Sequence, residues 1–568
     1  MSTSPSEPQR PSTASSPPSA PARTTPPAGR GALLVAAGIM ASRVMGLVRE
    51  RALAHYLGNG LVAGAFRAAI RIPNFLQNLF GEGVLSASFI PVYAQLLSKE
   101  DREEADRVAG AVFGLLALAM GVMVALGVLF TPAFIDVVAP GFEGEVRALT
   151  IRLVRILFPM VGMMVLAAWC LGILNSHRRF FLSYASGVLW SLAMIVALLA
   201  LGGRLEPERL AIAVAWASVV GSLLQFGVQL PRVLSLLGRF RPSLDLARAS
   251  VRQVLRSFGP VLVGRGVVQL SAFVDTAIAT EISARAVSSM GYAQILSLLP
   301  VSLFGMAVSA AELPELSRTT GEQGEVAHKF QARINAGMRR IAFLVVPSVA
   351  AFVFVGDVVA GALFQTGRFD AHDTRYVWYL LVGSAFGLLA STLGRLQSSA
   401  YYALRDTRTP LYTATLRVAI TIASAWVFGL YVPAWLGLPR ELGGALILAT
   451  TGLAGWVEFL LLRRGLSRRI GRIGFEAGYS QRLWAAAVGA GLLGLGLKML
   501  LTRWRGLDPA VLREWHGGLL APPHLHPLIT AVLVLGTFGA AYFALTAALG
   551  IPESRAMLGR FTRRLRRS

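Results

Sequence analysis

Charged side chains occur inside several long apolar segments of this 568-residue chain. An ionised side chain near the centre of a bilayer costs at least about 2.5–3.5 kcal/mol, so each one requires water or a counter-charge. We therefore expect these groups to face a hydrated cavity. Arginine predominates among them, and its guanidinium binds phosphate through paired hydrogen bonds, which predicts an anionic ligand. The set comprises Arg43, Arg49, Glu50, Arg51, Arg67, Arg71, Glu82, Arg265, Asp275, Arg395 and Arg417.

Helical spacing places some of these residues on shared faces. Arg43, Gly46 and Glu50 have i, i+3, i+7 spacing and share one face of the first segment. Arg67, Arg71 and Asn74 have i, i+4, i+7 spacing and share one face of the second. An alternative for Arg49, Glu50 and Arg51 is that they lie at the end of their segment and pair with one another. Asp275 is a lone acid in its segment, and two interpretations stay open: a cation or proton site, or neutralisation by an arginine such as Arg417.

The segments that must position these groups are transmembrane helices. Hydrophobic residues make up 54% of the chain, charged residues only 15%, and the mean hydropathy is +0.59, which excludes an ordinary soluble enzyme. About fourteen apolar segments are long enough to span a bilayer, and each must be helical to pair its own backbone groups. They are 32–57, 62–94, 107–134, 148–174, 181–202, 209–231, 253–281, 287–316, 337–364, 376–403, 409–432, 441–462, 481–501 and 527–549.

The net charge of +24 follows from the topology. Basic residues concentrate in alternate loops and in the C-terminal tail, so the positive-inside rule places both termini in the cytoplasm. The tail follows the last segment directly, which favours contact with lipid headgroups over binding of nucleic acid.

Weak internal repetition suggests two six-helix lobes, an arrangement typical of secondary transporters with a site between repeats. The predicted divisions are a disordered Pro/Ser-rich tail at 1–30, an N-lobe at 31–235, a C-lobe at 236–475, two further helices at 476–550 and a basic tail at 551–568. The fold class is thus an all-α polytopic membrane protein with two pseudo-symmetric lobes and two C-terminal helices.

The chain carries no HExxH, CxxC or P-loop pattern, and its single cysteine, Cys170, has no disulfide partner. We therefore expect no metal, no cofactor and no catalytic residues.

Two stretches carry a resemblance to a known family. MASRVMGLVRERALAHYLGNG at 40–60 and IRIPNFLQNLFGEGVLSASFIPVYAQLL at 70–97 are supported by FQTGRFDAHDT at 364–374 and YYALRDTRTP at 401–410. With these motifs the chain resembles the MurJ/MviN family of bacterial lipid II flippases, within the MOP exporter superfamily. The resemblance implies a V-shaped pair of lobes around a cationic cavity. It also implies export of undecaprenyl-diphosphate-linked peptidoglycan precursor across the cytoplasmic membrane by alternating access.

The resemblance also assigns roles to individual residues. The family's required arginines of the first helix correspond to Arg43 and Arg49, and the acid that follows them corresponds to Glu50. Further substrate-site positions correspond to Asn74, Glu82 and Ser288.

The chain departs from the family pattern at several of its positions. An arginine of the second helix is replaced by Gln77, an aspartate by Gly64, and the YADRL motif of the eighth helix reads YAQIL, with Gln294 and Ile295. The C-lobe half of the implied phosphate site is therefore missing. Either Arg265, Arg395 or Arg417 substitutes for it, or the substrate or the activity has changed.

The sequence-based hypothesis is a monomeric flippase of the bacterial inner membrane in which Arg43, Arg49 and Arg71 bind the diphosphate. Its partners would be the lipid-linked precursor, membrane lipids and cell-wall synthases, with no nucleic acid. One alternative is a cation-coupled small-solute antiporter of the same superfamily. Another is a non-transporting membrane scaffold for cell-wall synthesis.

Overall fold

The computed structural model describes residues 28–306, 308, 323–503 and 526–557. Within these ranges, the side chains of 28–36, 264–265, 267–272, 305–306, 323–326 and 502–503 lie outside the description. The chain is helical throughout the described ranges, apart from loops and one isolated bridge between Thr366 and Phe369. The predicted all-α membrane architecture is confirmed.

The described part of the first half, from residue 28 onward, contains nine helices. They are α1 (Ala28–Leu57), α2 (Leu61–Phe80), α3 (Glu82–Ser98), α4 (Arg102–Leu129), α5 (Thr131–Val138), α6 (Gly144–Ser176), α7 (Phe180–Ala185), α8 (Gly187–Leu201) and α9 (Pro207–Leu236). Helix α6 is largely buried and packs against α2, α4 and α9. It is therefore the central helix of this half.

The second half repeats this plan around α13. Its helices are α10 (Ala249–Ile282), α11 (Ala284–Pro300), α12 (Gln323–Phe364), α13 (Ala371–Ala403), α14 (Arg408–Trp426), α15 (Val432–Trp435), α16 (Gly443–Ile470), α17 (Tyr479–Arg503) and α18 (Pro527–Ala548). A π-helical turn at Val301–Met306 extends α11, another at Val427–Tyr431 joins α14 to α15, and a 3-10 turn at Arg440–Leu442 precedes α16. Helix α13 packs against α11, α12 and α16, and α17 and α18 pack on α12.

Glycines bring α13 and α16 into backbone contact. A Cβ atom at Gly387 would lie 2.3 Å from the Cα of Gly452, and one at Gly383 would lie 2.2 Å from the carbonyl oxygen of Ala445. Close backbone approach through small residues is a common means of helix association in membranes. The two helices therefore form a tightly joined pair, and α13 contains no proline that would bend it.

Eleven helices in the described part of the chain are long and apolar enough to cross a membrane. The three further segments for which spans were predicted, α1, α2 with α3, and α10, are helical but are not among these eleven. The predicted count of fourteen is consistent with this structure and stays a prediction, as do the divisions at residues 30, 235, 475 and 550.

The predicted span 62–94 is interrupted. Helix α2 ends at Phe80, and α3 begins at Glu82 after Gly81. Gly81 has φ −88° and ψ −138°, outside the helical region, and a Cβ there would lie 2.4 Å from the carbonyl oxygen of Gln77. Glu82 consequently lies in the first turn of α3, where the helix dipole favours an acid.

A buried ion pair joins α17 to α12. Lys498 Nζ lies 2.5 Å from Asp357 Oδ2 and 4.9 Å from the centre of the Trp378 ring. The side chains are only 2% and 8% exposed, so neither charge has bulk water as a substitute partner. This ion pair stabilises the packing of α17 against α12 of the second half.

We expect Lys498→Met alone to destabilise the protein by about 3–5 kcal/mol, because it leaves a buried carboxylate unpaired. Combining it with Asp357→Leu should restore most of that stability. Denaturant unfolding of purified protein in detergent micelles measures both variants. A single variant that unfolds like the parent would contradict this account.

Candidate functional site: a cationic cavity between the two halves

A cavity of about 850 Å³ lies where the two halves of the chain meet. Its wall is formed by residues of α1, α2, α10, α11, α13, α14 and α16. Its charged and amide side chains are Glu50, Arg67, Arg71, Asn74, Asn78, Asp275, Gln294, Arg395 and Arg417. Four arginines against two acids make the cavity cationic.

The arginines come from both halves of the chain. Arg67 and Arg71 come from α2, whereas Arg395 comes from α13 and Arg417 from α14. Arg395 is exposed and forms no ion pair among the described residues. Arg417 donates to Glu458 of α16 over 3.1 Å and remains 37% exposed. The second half thus contributes guanidinium groups although Ile295 replaces the arginine that the family resemblance implies.

Arg71 reaches across to the second half. Its Nη1 donates to Oε1 of Gln294 on α11 over 3.2 Å. Gln294 occupies the position of the aspartate in the family's YADRL motif. A neutral amide accepts this hydrogen bond without cancelling the arginine's charge, so the cavity keeps its excess of cations.

Glu50 is held between two arginines. Its Oε1 accepts from Arg49 over 2.7 Å, and its Oε2 accepts from Arg67. Arg49 also stacks over the Trp190 ring at 4.4 Å and does not line the cavity. Arg51 donates instead to the carbonyl oxygens of residues 362 and 363. Of the pairing proposed for the end of the first segment, the structure therefore contains the contact between Arg49 and Glu50.

Asp275 forms a separate feature of the wall. It is 6% exposed, and its Oδ1 is buried without a hydrogen-bond partner among the described residues. Arg417, which was considered as its counter-charge, forms its ion pair with Glu458 but, like Arg71, lies close enough to Asp275 to attract its charge.

Four residues predicted for the site, Arg43, Arg49, Glu82 and Ser288, do not line the cavity in the described part of the chain. Arg43 is exposed on α1 and Glu82 is exposed at the start of α3. Ser288 is fully buried at one end of the cavity, where its hydroxyl donates to Asn59. The side chain of Arg265 lies outside the described residues.

The site predicted from the sequence missed two residues that form ion pairs with its members, Arg67 with Glu50 and Glu458 with Arg417. Arg67 was recognised as a charge within a span but received no role, although its i, i+4 spacing to Arg71 puts both on one face. Glu458 was not recognised, although it is a single acid in the apolar stretch GWVEFLLL. Both signals are visible in the sequence once every in-span charge is assigned a partner.

One end of the cavity is closed by a set of interhelical contacts, which we call the seal (residues 55–64, 283–292 and 362–373). Asn59 donates to Ser289 Oγ over 2.7 Å and to Asp373 Oδ1 over 3.3 Å. The Tyr292 hydroxyl donates to the Gly58 carbonyl over 3.1 Å. In the predicted topology these loops are extracytoplasmic.

The seal depends on close backbone packing at Gly64. A Cβ atom there would lie 2.2 Å from the carbonyl oxygen of Ala284, at the start of α11. The family pattern has an aspartate at this position, so the absence of a side chain is a departure with a structural consequence. With glycine, α2 and α11 approach more closely than any side chain would permit.

We expect Gly64→Ala to open the seal, because the added methyl group must displace the α11 backbone. The measurement is the maleimide labelling rate of a Ser289→Cys reporter in a Cys170→Ser background, which we expect to rise severalfold. Gly60→Ala is the matched control, since nothing lies within 4 Å of a Cβ at Gly60. Equal labelling rates in the two variants would refute this role of Gly64.

Comparison with known proteins identifies relatives over most of the chain. The family model for the lipid II flippase MurJ matches residues 53–522. The lipid II flippase MurJ of Burkholderia cenocepacia is 31% identical over 528 residues, which cover 92% of this chain and 97% of that protein. A probable lipid II flippase MurJ from Rhizobium tropici is 30% identical and covers 84% of this chain and 87% of that protein.

Solved structures agree in fold. A lipid II flippase MurJ in an inward closed conformation superposes with a TM-score of 0.72 at 21% identity, covering 91% of this chain and 99% of that one. An inward-facing multidrug resistance MATE transporter of the MOP superfamily gives a TM-score of 0.60 at 18% identity, covering 77% and 98%. The resemblance predicted from the motifs is confirmed: the chain is a multi-pass membrane protein and belongs to the lipid II flippase MurJ family.

Proposed function

We propose that this chain moves lipid II from the inner to the outer leaflet of the bacterial inner membrane, with both chain termini in the cytoplasm. The observation that carries the proposal is the cationic cavity between the two halves, closed at one end by the seal. A diphosphate carries a negative charge on each phosphoryl group, which matches the excess of arginine. The polyprenyl chain would stay in the bilayer while the polar head occupies the cavity.

Arg71 lines the cavity from the first half and contacts Gln294 of the second, and Arg395 and Arg417 line it from the second half. A diphosphate bound between them would contact both halves at once, so its binding energy would depend on how the halves are arranged. A ligand shifts a conformational equilibrium only through such a difference in affinity. This supports alternating access without covalent chemistry, which is why we propose a transporter and not an enzyme.

The membrane potential favours transport in the outward direction. Moving a negative charge outward across a membrane that is negative inside is favoured by about 2.3 kcal/mol per charge per 100 mV.

The cavity is formed by a single chain, which supports a monomer as the working unit. Cell-wall synthases remain a proposed class of partner. Of the basic tail proposed to contact membrane lipids, residues 551–557 are described and 558–568 lie outside the described residues.

The unpartnered carboxylate oxygen of Asp275 favours one second candidate, a cation-coupled antiporter. Its position in the cavity wall fits a coupling site. The four arginines of the same wall would repel a cation, however, and support the anionic substrate. The scaffold alternative loses its main argument, because Arg395 and Arg417 supply cationic groups from the second half.

We expect Arg71→Gln and Arg395→Gln to slow translocation of labelled lipid II in proteoliposomes about ten- to hundredfold. This range corresponds to the loss of about 1.5–3 kcal/mol for a hydrogen bond to a charged group. Arg232→Gln, at an exposed position near the end of α9, is the control and should translocate at the parent rate. Parent rates in both cavity variants would remove the cavity from the mechanism.

Arg43 and Arg49 are proposed to join the site in a conformation other than this one, since neither lines the cavity here. We expect Arg43→Ala and Arg49→Ala to abolish complementation of a flippase-depleted strain while the protein stays in the membrane. Quantitative immunoblotting of membrane fractions controls for expression. Normal growth of both variants would exclude the two residues from the site.

A further inference from the structure

A chain of contacts connects the cavity wall to the seal through Arg67. The Arg67 guanidinium lies 4.5 Å from the centre of the Tyr292 ring, and the Tyr292 hydroxyl donates to the Gly58 carbonyl within the seal. A Cβ at Gly291 would lie 3.2 Å from Cδ and Nε of Arg67. Arg67 therefore belongs to α2 by sequence but packs directly on α11.

Glu50 is an internal anion that occupies Arg67 in this conformation. Both residues line the cavity, so a negatively charged ligand entering it meets the same guanidinium that Glu50 already binds. Carboxylate and phosphate bind guanidinium in closely similar geometry. The ligand and Glu50 consequently compete for one group.

Replacement of Glu50 by a ligand as the partner of Arg67 leaves no buried charge without a partner. When Arg67 turns toward a ligand, Glu50 keeps its second ion pair, with Arg49 at 2.7 Å. Breaking a buried ion pair is costly mainly because the remaining charge is unpaired. The second arginine removes that cost and makes the competition feasible.

We propose that Arg67 is a positioning residue that couples anion binding in the cavity to opening of the seal. A bound diphosphate replaces Glu50 as the partner of Arg67 and draws its guanidinium off the Tyr292 ring. Tyr292 then loses a cation–π contact, which weakens its hold on Gly58 at the seal. The inference rests on the proposed function, since it adds a means of coupling to the same site.

The test uses the full-length Cys170→Ser, Ser289→Cys reporter in nanodiscs, with farnesyl diphosphate as the probe. At saturating probe we expect maleimide labelling to accelerate at least about fivefold, the lower end of typical coupling between sites. Arg67→Gln should bind the probe more weakly and show no acceleration once saturated. Glu50→Gln, which removes the competitor, should bind the probe more tightly than the reporter parent.

Tyr292→Phe provides a second, milder variant in case Arg67→Gln fails to fold. It keeps the ring under Arg67 but lacks the hydroxyl that reaches Gly58, so we expect faster labelling without probe and a smaller response to it. Equal acceleration in the parent, Arg67→Gln and Tyr292→Phe would overturn the coupling alone. Absence of probe binding to the parent would overturn the proposed function and the coupling with it.

Discussion

The free-energy cost of an ionised group in an apolar layer governs the arrangement of this protein's charges. Lys498 pairs with Asp357 where α17 meets α12, and Arg417 pairs with Glu458 between α14 and α16. Glu50 is shared by two arginines. Arg71, Asp275 and Arg395 line the cavity, where water or an anion can approach them. The same constraint thus produces both the helix-to-helix attachments and the binding site.

Much of the architecture could be predicted because hydropathy acts locally. The predicted spans are largely helical over their described parts, with the interruption at Gly81 in span 62–94, since a segment in hydrocarbon has to pair its own backbone groups. The inference that in-span charges face a cavity agrees with the structure for six of them and not for Arg43, Arg49, Arg51 and Glu82. The six are Glu50, Arg67, Arg71, Asp275, Arg395 and Arg417. These successes follow from solvation alone and need no knowledge of which helices are neighbours.

Partner choice could not be predicted, because it depends on which helices meet and in which conformation. Arg417 forms its direct ion pair with Glu458, and Arg67 lies on Tyr292 from the other half of the chain. The interruption at Gly81 depends on backbone geometry that hydropathy does not encode. Arg43 illustrates the role of conformation, since its exposure here belongs to one state of a protein whose halves are proposed to move.

The stiffness of α13 has a mechanical consequence. Asp373 in the seal and Arg395 in the cavity lie on this one proline-free helix, 22 residues and therefore about 33 Å apart. Its glycine contacts with α16 prevent the two backbones from sliding past each other. The two helices, α13 and α16, therefore tilt together as one rigid body. A tilt of about 10° about the middle of this length would swing each end by about 3 Å, in opposite directions. The helix itself thus converts a small rotation of the second half into opposite movements at the seal and at the anion site.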